Sequence, residues 1–293
     1  MYRIFCLGFV MMMAAIAHAQ TPTLEARLAP LAEQHKGQVA IAVKHLGTGE
    51  SYFLHADEVM PTASLIKFPI MAECYFLALE GKLKLDDMLT LRKEEMVPGS
   101  GILTQHFSPG ASFSLRDTVR LMIACSDNTA TNMVLDKITI PATNTRMKAL
   151  GFPETRINAK VFRGSTSSID PDRTKQYGLG STTARDMVGL LELLHTKKLV
   201  DENACKQMRE HMLACDDDEK FPRFLPASVK IAFKTGSVSD ARTAAGILDF
   251  PGGPVAVCVL TAKNEDKRWV IDNAGNKLCA QVAQEVYRHY LPK

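Results

Sequence analysis

A serine and a lysine three residues apart, Ser64-Leu65-Ile66-Lys67, open an apolar stretch that runs to about Leu79. At that spacing on a helix the two side chains share one face. The serine becomes a nucleophile if the lysine can take its proton, and burial beside other cations lowers a lysine's pKa far enough for that. The start of a helix also offers free N–H groups and positive dipole to a developing oxyanion. Pro69 fits an early turn, where its missing N–H costs little. Two further groupings carry related chemistry: Ser126-Asp127-Asn128 and Lys234-Thr235-Gly236. Each alone is commonplace, since a Ser-Asp-Asn is ordinarily a cap or turn and a strand lysine a solvated charge. Brought together, they offer a nucleophile, two lysines, a second hydroxyl and an amide, the parts of an acyl-transfer centre.

The elements that must position these groups follow from periodicity. Leu24, Leu28 and Leu31 mark an amphipathic first helix, and Val39, Ile41 and Val43 alternate as a strand does. Leu46-Gly47-Thr48-Gly49 turns into a second strand over residues 51–54. Residues 62–213 read as mainly helical. Ser114-x-x-Asp117 opens a helix that ends at Ala124, Gly151 closes the helix after Pro141, and another helix is expected over residues 182–195. Between these lie residues 152–180, with few apolar residues and no sustained period, the pattern of a long functional loop. Strands return over residues 229–233, 243–250 and 255–261, and Lys234-Thr235-Gly236 ends the first of them. Pro251-Gly252-Gly253-Pro254 joins the last two. Leu278, Val282, Val286 and Tyr290 give a closing helix. This order predicts an α/β fold: a five-stranded antiparallel sheet flanked by the N- and C-terminal helices, with an inserted all-helical domain. Residues 20–60 and 214–293 make the α/β domain and residues 61–213 the helical one, so the chemistry falls at their junction.

Composition narrows the classes. The 293 residues are 46% hydrophobic and 23% charged, too apolar for a disordered chain and too mixed for a fibrous or integral membrane protein. The net charge is +3, and no basic run of five appears, so no nucleic-acid partner is expected. Arg3, the apolar residues 4–16 and Ala17-His18-Ala19 read as a signal peptide over residues 1–19, with a retained anchor as the competing reading. The expectation is an exported protein, periplasmic or secreted, with no membrane anchor after cleavage, and monomeric. Six cysteines follow Cys6; export permits their oxidation, and buried free thiols fit their apolar surroundings equally well. With no Cys-x-x-Cys and no paired histidines, no metal site and no cofactor are expected. Asp216-Asp217-Asp218-Glu219 reads as a solvated loop, and Trp269 as core or hinge packing.

The three groupings stand 62 and 108 residues apart in this order. With them go Leu85-Asp86-Asp87, Val97-Pro98-Gly99-Ser100-Gly101-Ile102-Leu103, the run Asp127 to Asn132, Ala149-Leu150-Gly151 and the run Ser181 to Met187. Together these resemble the class A β-lactamases and their relatives, the penicillin-binding D,D-peptidases, over nearly the whole chain after the leader. The resemblance implies the serine β-lactamase/D,D-peptidase fold and an antibiotic-resistance role. It makes Ser64 the nucleophile, Lys67 its general base or relay, and Ser126 the proton donor to the leaving nitrogen. Asn128 would hold the substrate's side-chain amide. Lys234 and Thr235 would bind its carboxylate, and the N–H groups of Ser64 and Ser237 would form the oxyanion hole. Arg242 is a second carboxylate anchor on this reading, or else a surface salt-bridge residue.

The resemblance fails at one point. The family carries a glutamate in the loop between the second and third groupings, where it activates the water that releases the acyl-enzyme. Residues 155–169 contain no Asp or Glu. Asp170 is the first candidate substitute, ahead of Asp172 or of Lys67 serving both steps, with both aspartates as turn residues beside Pro171 the alternative. Loss of general-base help costs roughly 10²–10⁴-fold in rate. Three activities are therefore expected in order: β-lactam hydrolysis with slow or atypical deacylation, a D,D-carboxypeptidase or esterase acting on D-Ala-D-Ala cell-wall peptides, and a penicillin-binding receptor that acylates with little turnover.

Overall fold

The computed structural model describes residues 22–292; the signal-peptide reading of residues 1–19 lies outside them. No helix among the described residues is long and apolar enough to cross a membrane.

Five strands form the main sheet: β1 (Gln38–His45), β2 (Ser51–Leu54), β3 (Lys230–Val238), β4 (Ala241–Phe250) and β5 (Gly253–Ala262). Their order is β2-β1-β5-β4-β3, with every neighbouring pair antiparallel. Side chains alternate between the two faces of such strands, and here the two faces differ in size. Val39, Ile41 and Val43 pack outward against helices α1 (Leu24–Gln34) and α9 (Ala274–Tyr290), with Leu28, Leu278 and Val282. Ala40, Ala42, Ala232, Ala245 and Ala256 point inward. Small residues there let α7 (Ala184–His195) lie close on the sheet and share one core with it through Leu190 and Leu191. The helices between Lys67 and Leu213 thus share a core with the inner face of the sheet.

The remaining helices of seven residues or more are α2 (Lys67–Leu79), α3 (Leu115–Ala124), α4 (Asn128–Ile138), α5 (Ile140–Ala149), α6 (Pro171–Tyr177) and α8 (Glu202–Leu213). Ser114 caps α3 as the sequence suggests, accepting from Asp117 N at 3.0 Å. Two expectations need correction. The first strand of the C-terminal set does not end before Lys234: β3 continues to Val238, with Lys234 opposite Ala245 and Gly236 opposite Thr243. Residues 152–180 are not one long loop. Strand Arg156–Ile157, a helical turn at Gly164–Ser167 and α6 occupy them, and Gly180–Thr182 pairs with both Met60–Pro61 and Arg156–Ile157. Elements of two to seven residues are too short to leave a period in sequence.

Candidate active site

Ser64 lies on a single 3₁₀ turn, Ala63–Ile66, that leads into α2. The turn is entered through Ala63 at φ +45°, a left-handed conformation that costs a non-glycine residue roughly 1 kcal/mol or more. Packing from the sheet holds it there. Thr243 Oγ1 donates to Thr62 O at 2.8 Å. A Cβ on Gly236 would stand 2.5 Å from Thr62 O and 2.7 Å from Ser64 N. Only glycine lets the edge strand β3 pass this close to the N–H of the nucleophile. Ser64 Oγ makes no hydrogen bond among the described residues.

Lys67 follows one turn later and is fully buried. Its Nζ donates to Ser126 O at 2.6 Å, Ser126 Oγ at 3.2 Å and Asn128 Oδ1 at 3.0 Å. Lys234, also fully buried, donates from the strand side to Ser126 Oγ at 3.1 Å and to Thr235 O at 2.8 Å. One hydroxyl therefore sits between two lysine heads. Burial, then repulsion by Lys234, holds Lys67 well below the usual lysine range, with Asp127 opposing. Burial also lowers Lys234, against the pull of nearby Asp217. Of the pair, Lys67 is the one prepared to be neutral.

The helix that carries Asn128 is fastened by the middle residue of its own grouping. Asp127 caps α4 through Ala130 N at 2.8 Å and accepts from Ile102 N and Leu103 N at 2.7 and 2.8 Å. Gly101, at φ +110°, makes room for that carboxylate; a Cβ there would meet it at 2.3 Å. One turn along α4, Asn132 grips the opposite wall. Its Nδ2 donates to Val161 O at 3.0 Å and its Oδ1 accepts from Val161 N at 2.9 Å.

These groups surround a cleft of about 570 Å³. Ser64, Ser126, Asn128, Lys234, Thr235, Ser237 and Arg242 all line it, so the structure brings together the residues singled out from the sequence, with Lys67 directly behind Ser126. Asp170 does not line the cleft. It is the N-cap of α6, accepting from Arg173 N at 3.1 Å with Arg156 4.0 Å away, which is its turn-residue reading. Arg242 is buried and makes no salt bridge among the described residues. Its guanidinium donates to the carbonyls of Val238, Ala241 and Arg268 and lies 4.8 Å over the ring of Trp269. Trp269 is not core, being 69% exposed on the rim of the cleft.

The acidic run is likewise no free loop. Asp216 to Glu219 line the cleft, and Asp217 pairs at 2.7 Å with the buried Lys220. Sequence reasoning also passed over Phe162, 64% exposed at φ +54°, the contribution of residues 152–180 to the cleft lining. It passed over Cys125 and Cys215 as well. No short-range signal marks these, because the contacts span tens of residues.

A family model described as the beta-lactamase enzyme family matches residues 23–290. A beta-lactamase of Rhodobacter capsulatus is 22% identical over 286 residues, covering 96% of this chain and 94% of its own. Among solved structures, the beta-lactamase from Sphaerobacter thermophilus superposes with a TM-score of 0.80 at 24% identity, over 92% of this chain and 99% of that one. A PBP-A mutant held as an acyl-enzyme with penicillin G superposes with a TM-score of 0.77 at 25% identity, over 90% and 94%. The family match takes in the sheet and the helical block alike, and with them all three groupings that converge on Ser126; the chain belongs to the beta-lactamase enzyme family.

Proposed function

We propose that the protein opens β-lactam rings through an acyl-enzyme on Ser64, and that release of the acyl group is its slow step. The observation that carries the first part is Ser126 Oγ held between Lys67 and Lys234, with Ser64 one turn before Lys67. Neutral Lys67 takes the proton of Ser64, directly or through Ser126. The serine oxygen attacks the lactam carbonyl, whose oxyanion meets the N–H groups of Ser64 and Ser237. The carbonyl–nitrogen bond breaks, and Ser126 supplies the proton to the leaving nitrogen, itself replenished from Lys67. Lys234 and Thr235 receive the substrate carboxylate and Asn128 its side-chain amide. Arg242 supports the carboxylate end through Trp269 and the β3–β4 turn, its N–H groups being engaged by carbonyls.

Slow release follows from the wall of residues 152–180, which offers the cleft the ring of Phe162 and no carboxylate. Asp170 is fixed as a cap, and Asp217 is tied to Lys220. The acyl-enzyme structure of PBP-A, at 25% identity, supports covalent capture as the shared chemistry. The presence of a leader over residues 1–19 and action outside the cytoplasm belong to the same proposal.

A chromogenic cephalosporin followed by colour and intact mass tests it. The expected result is a burst, an adduct on Ser64, and slow continued colour. Fast turnover with no accumulating adduct overturns slow release. Absence of both colour and adduct, with cleavage of a D-Ala-D-Ala peptide instead, makes the protein a peptidase. Full activity in Ser64→Ala removes the mechanism altogether.

A further inference from the structure

Of the six described cysteines, all free thiols, four are buried and two are not: Cys125 and Cys215. Both line the cleft. Cys125 is the C-cap of α3, and Cys215 follows the C-cap of α8, Ala214, so each stands where a helix ends at the site. The two segments are joined by a hydrogen bond from Asp216 N to Ala124 O at 3.1 Å. That bond links the peptide unit between Ala124 and Cys125 to the one between Cys215 and Asp216. Standard peptide dimensions then hold the two Cα atoms within about 8 Å of each other, and disulfides span Cα separations of about 4.4–6.8 Å.

We propose that Cys125 and Cys215 are a redox-modifiable pair, which a small disulfide such as oxidised glutathione converts to an intramolecular disulfide that throttles the active site. One cysteine thiolate attacks a sulfur of the oxidant, forming a mixed disulfide and expelling one glutathione thiolate. The second cysteine thiolate attacks the protein sulfur of that mixed disulfide, closing the Cys125–Cys215 bond and expelling the second glutathione. The two protons given up by the cysteine thiols end on the two expelled glutathione thiolates, so two electrons and two protons convert one oxidised glutathione to two thiols.

Burial pushes both thiols up from their ordinary range. Asp216 pushes both further up, and Lys234 pulls Cys215 part of the way back. The throttle comes from position. Cys125 is bonded to Ser126, which sits at φ +51° with its hydroxyl shared by the two lysines. Drawing Cys125 toward Cys215 shifts that hydroxyl, and displacements near 1 Å cost up to about a hundredfold in rate. This second half rests on the acylation chemistry proposed above; the disulfide itself does not.

The test treats the reduced protein with oxidised glutathione at mildly alkaline pH and reads intact mass, cross-linked peptides and the acylation rate with a chromogenic cephalosporin. The expected product has lost two hydrogens, links Cys125 to Cys215, and leaves the four buried cysteines open to alkylation after denaturation. Its acylation is roughly ten- to a hundredfold slower and recovers with dithiothreitol. Cys125→Ser and Cys215→Ser, each compared with its own untreated rate, stop at a mixed disulfide and form no internal bond. Two stable glutathione adducts, or a bond to any other cysteine, overturn the pair. A Cys125–Cys215 bond with an unchanged rate overturns the throttle. If the reduced protein shows no reaction with the cephalosporin, the acylation reading fails, and the mass result decides the disulfide by itself.

Discussion

Two lysine heads within hydrogen-bond reach of one serine hydroxyl cannot both keep their protons cheaply in a buried site. The protein resolves this unevenly: Lys234 has Asp217 nearby to hold its charge, while Lys67 faces uncharged acceptors and, more distantly, Asp127. A base that works when neutral gains activity as pH rises through its pKa. Lys234→Ala removes a cause that depresses Lys67, so the acid limb of the acylation-rate profile moves to higher pH. A limb that stays in place or moves down sinks the assignment of Lys67 as base. At this scale the sequence was largely legible. Ser64, Lys67, Ser126, Asn128 and Lys234 are recognisable because their types and order are restrictive. Phe162 and the cysteine pair are not, since an exposed ring or a thiol acquires meaning only from what faces it.

The elements matter through what locks them. Helix α2 carries the Ser64 turn at its head, and Glu73 in its middle is buried. Arg146 of α5 bonds Glu73 at 2.9 Å and Glu80 at 2.6 Å while lying over the ring of Phe76. Burial raises the Glu73 carboxyl, and Arg146 pulls it back. Arg146→Ala leaves that carboxylate buried without its partner, a loss of about 1–3 kcal/mol. Adding Glu73→Gln restores part of it, because the orphaned charge goes too. Urea denaturation of the two single mutants, the double mutant and the parent measures this, and strictly additive losses would falsify the coupling. Positions of the long helices and of the main-sheet strands were readable from periodicity, but the short elements of residues 152–180 and the extent of β3 were not. Gly236 looks like a strand terminator in sequence, and in the structure it is the residue that lets the strand continue past Ser64.

At the scale of the molecule, the alanine-rich inner face and the bulkier outer face of the sheet divide one fold into two packing zones. Alternation in β1 shows the outer zone plainly, whereas the helix covering the inner alanines is set by tertiary contact. A buried polar link crosses the inner zone, Tyr75 Oη to His211 Nε2 at 2.8 Å, joining α2 to α8. Burial, with Arg120 and Arg116 adding to it, pushes His211 down from 6.5 to about 4. Between those values the unfolded chain binds the proton and the folded one does not, so stability is complete above pH 6.5 and is lost as pH falls. The expected loss from this residue between pH 7 and pH 5 is about 2 kcal/mol. His211→Gln flattens that part of the urea-midpoint profile; a variant as steep as the parent assigns the pH dependence elsewhere.

The double grips of Asn132 on Val161 and of Asn144 on Ile157 mean that side chains of α4 and α5 suspend a wall of the cleft whose own elements are only two to seven residues long. The durability of that wall against proteases is therefore set from outside it. Asn132→Ala frees both backbone groups of Val161, and limited digestion should then cut first between residues 158 and 170, at enzyme doses that leave the parent whole. First cuts elsewhere would show that the wall carries its own support.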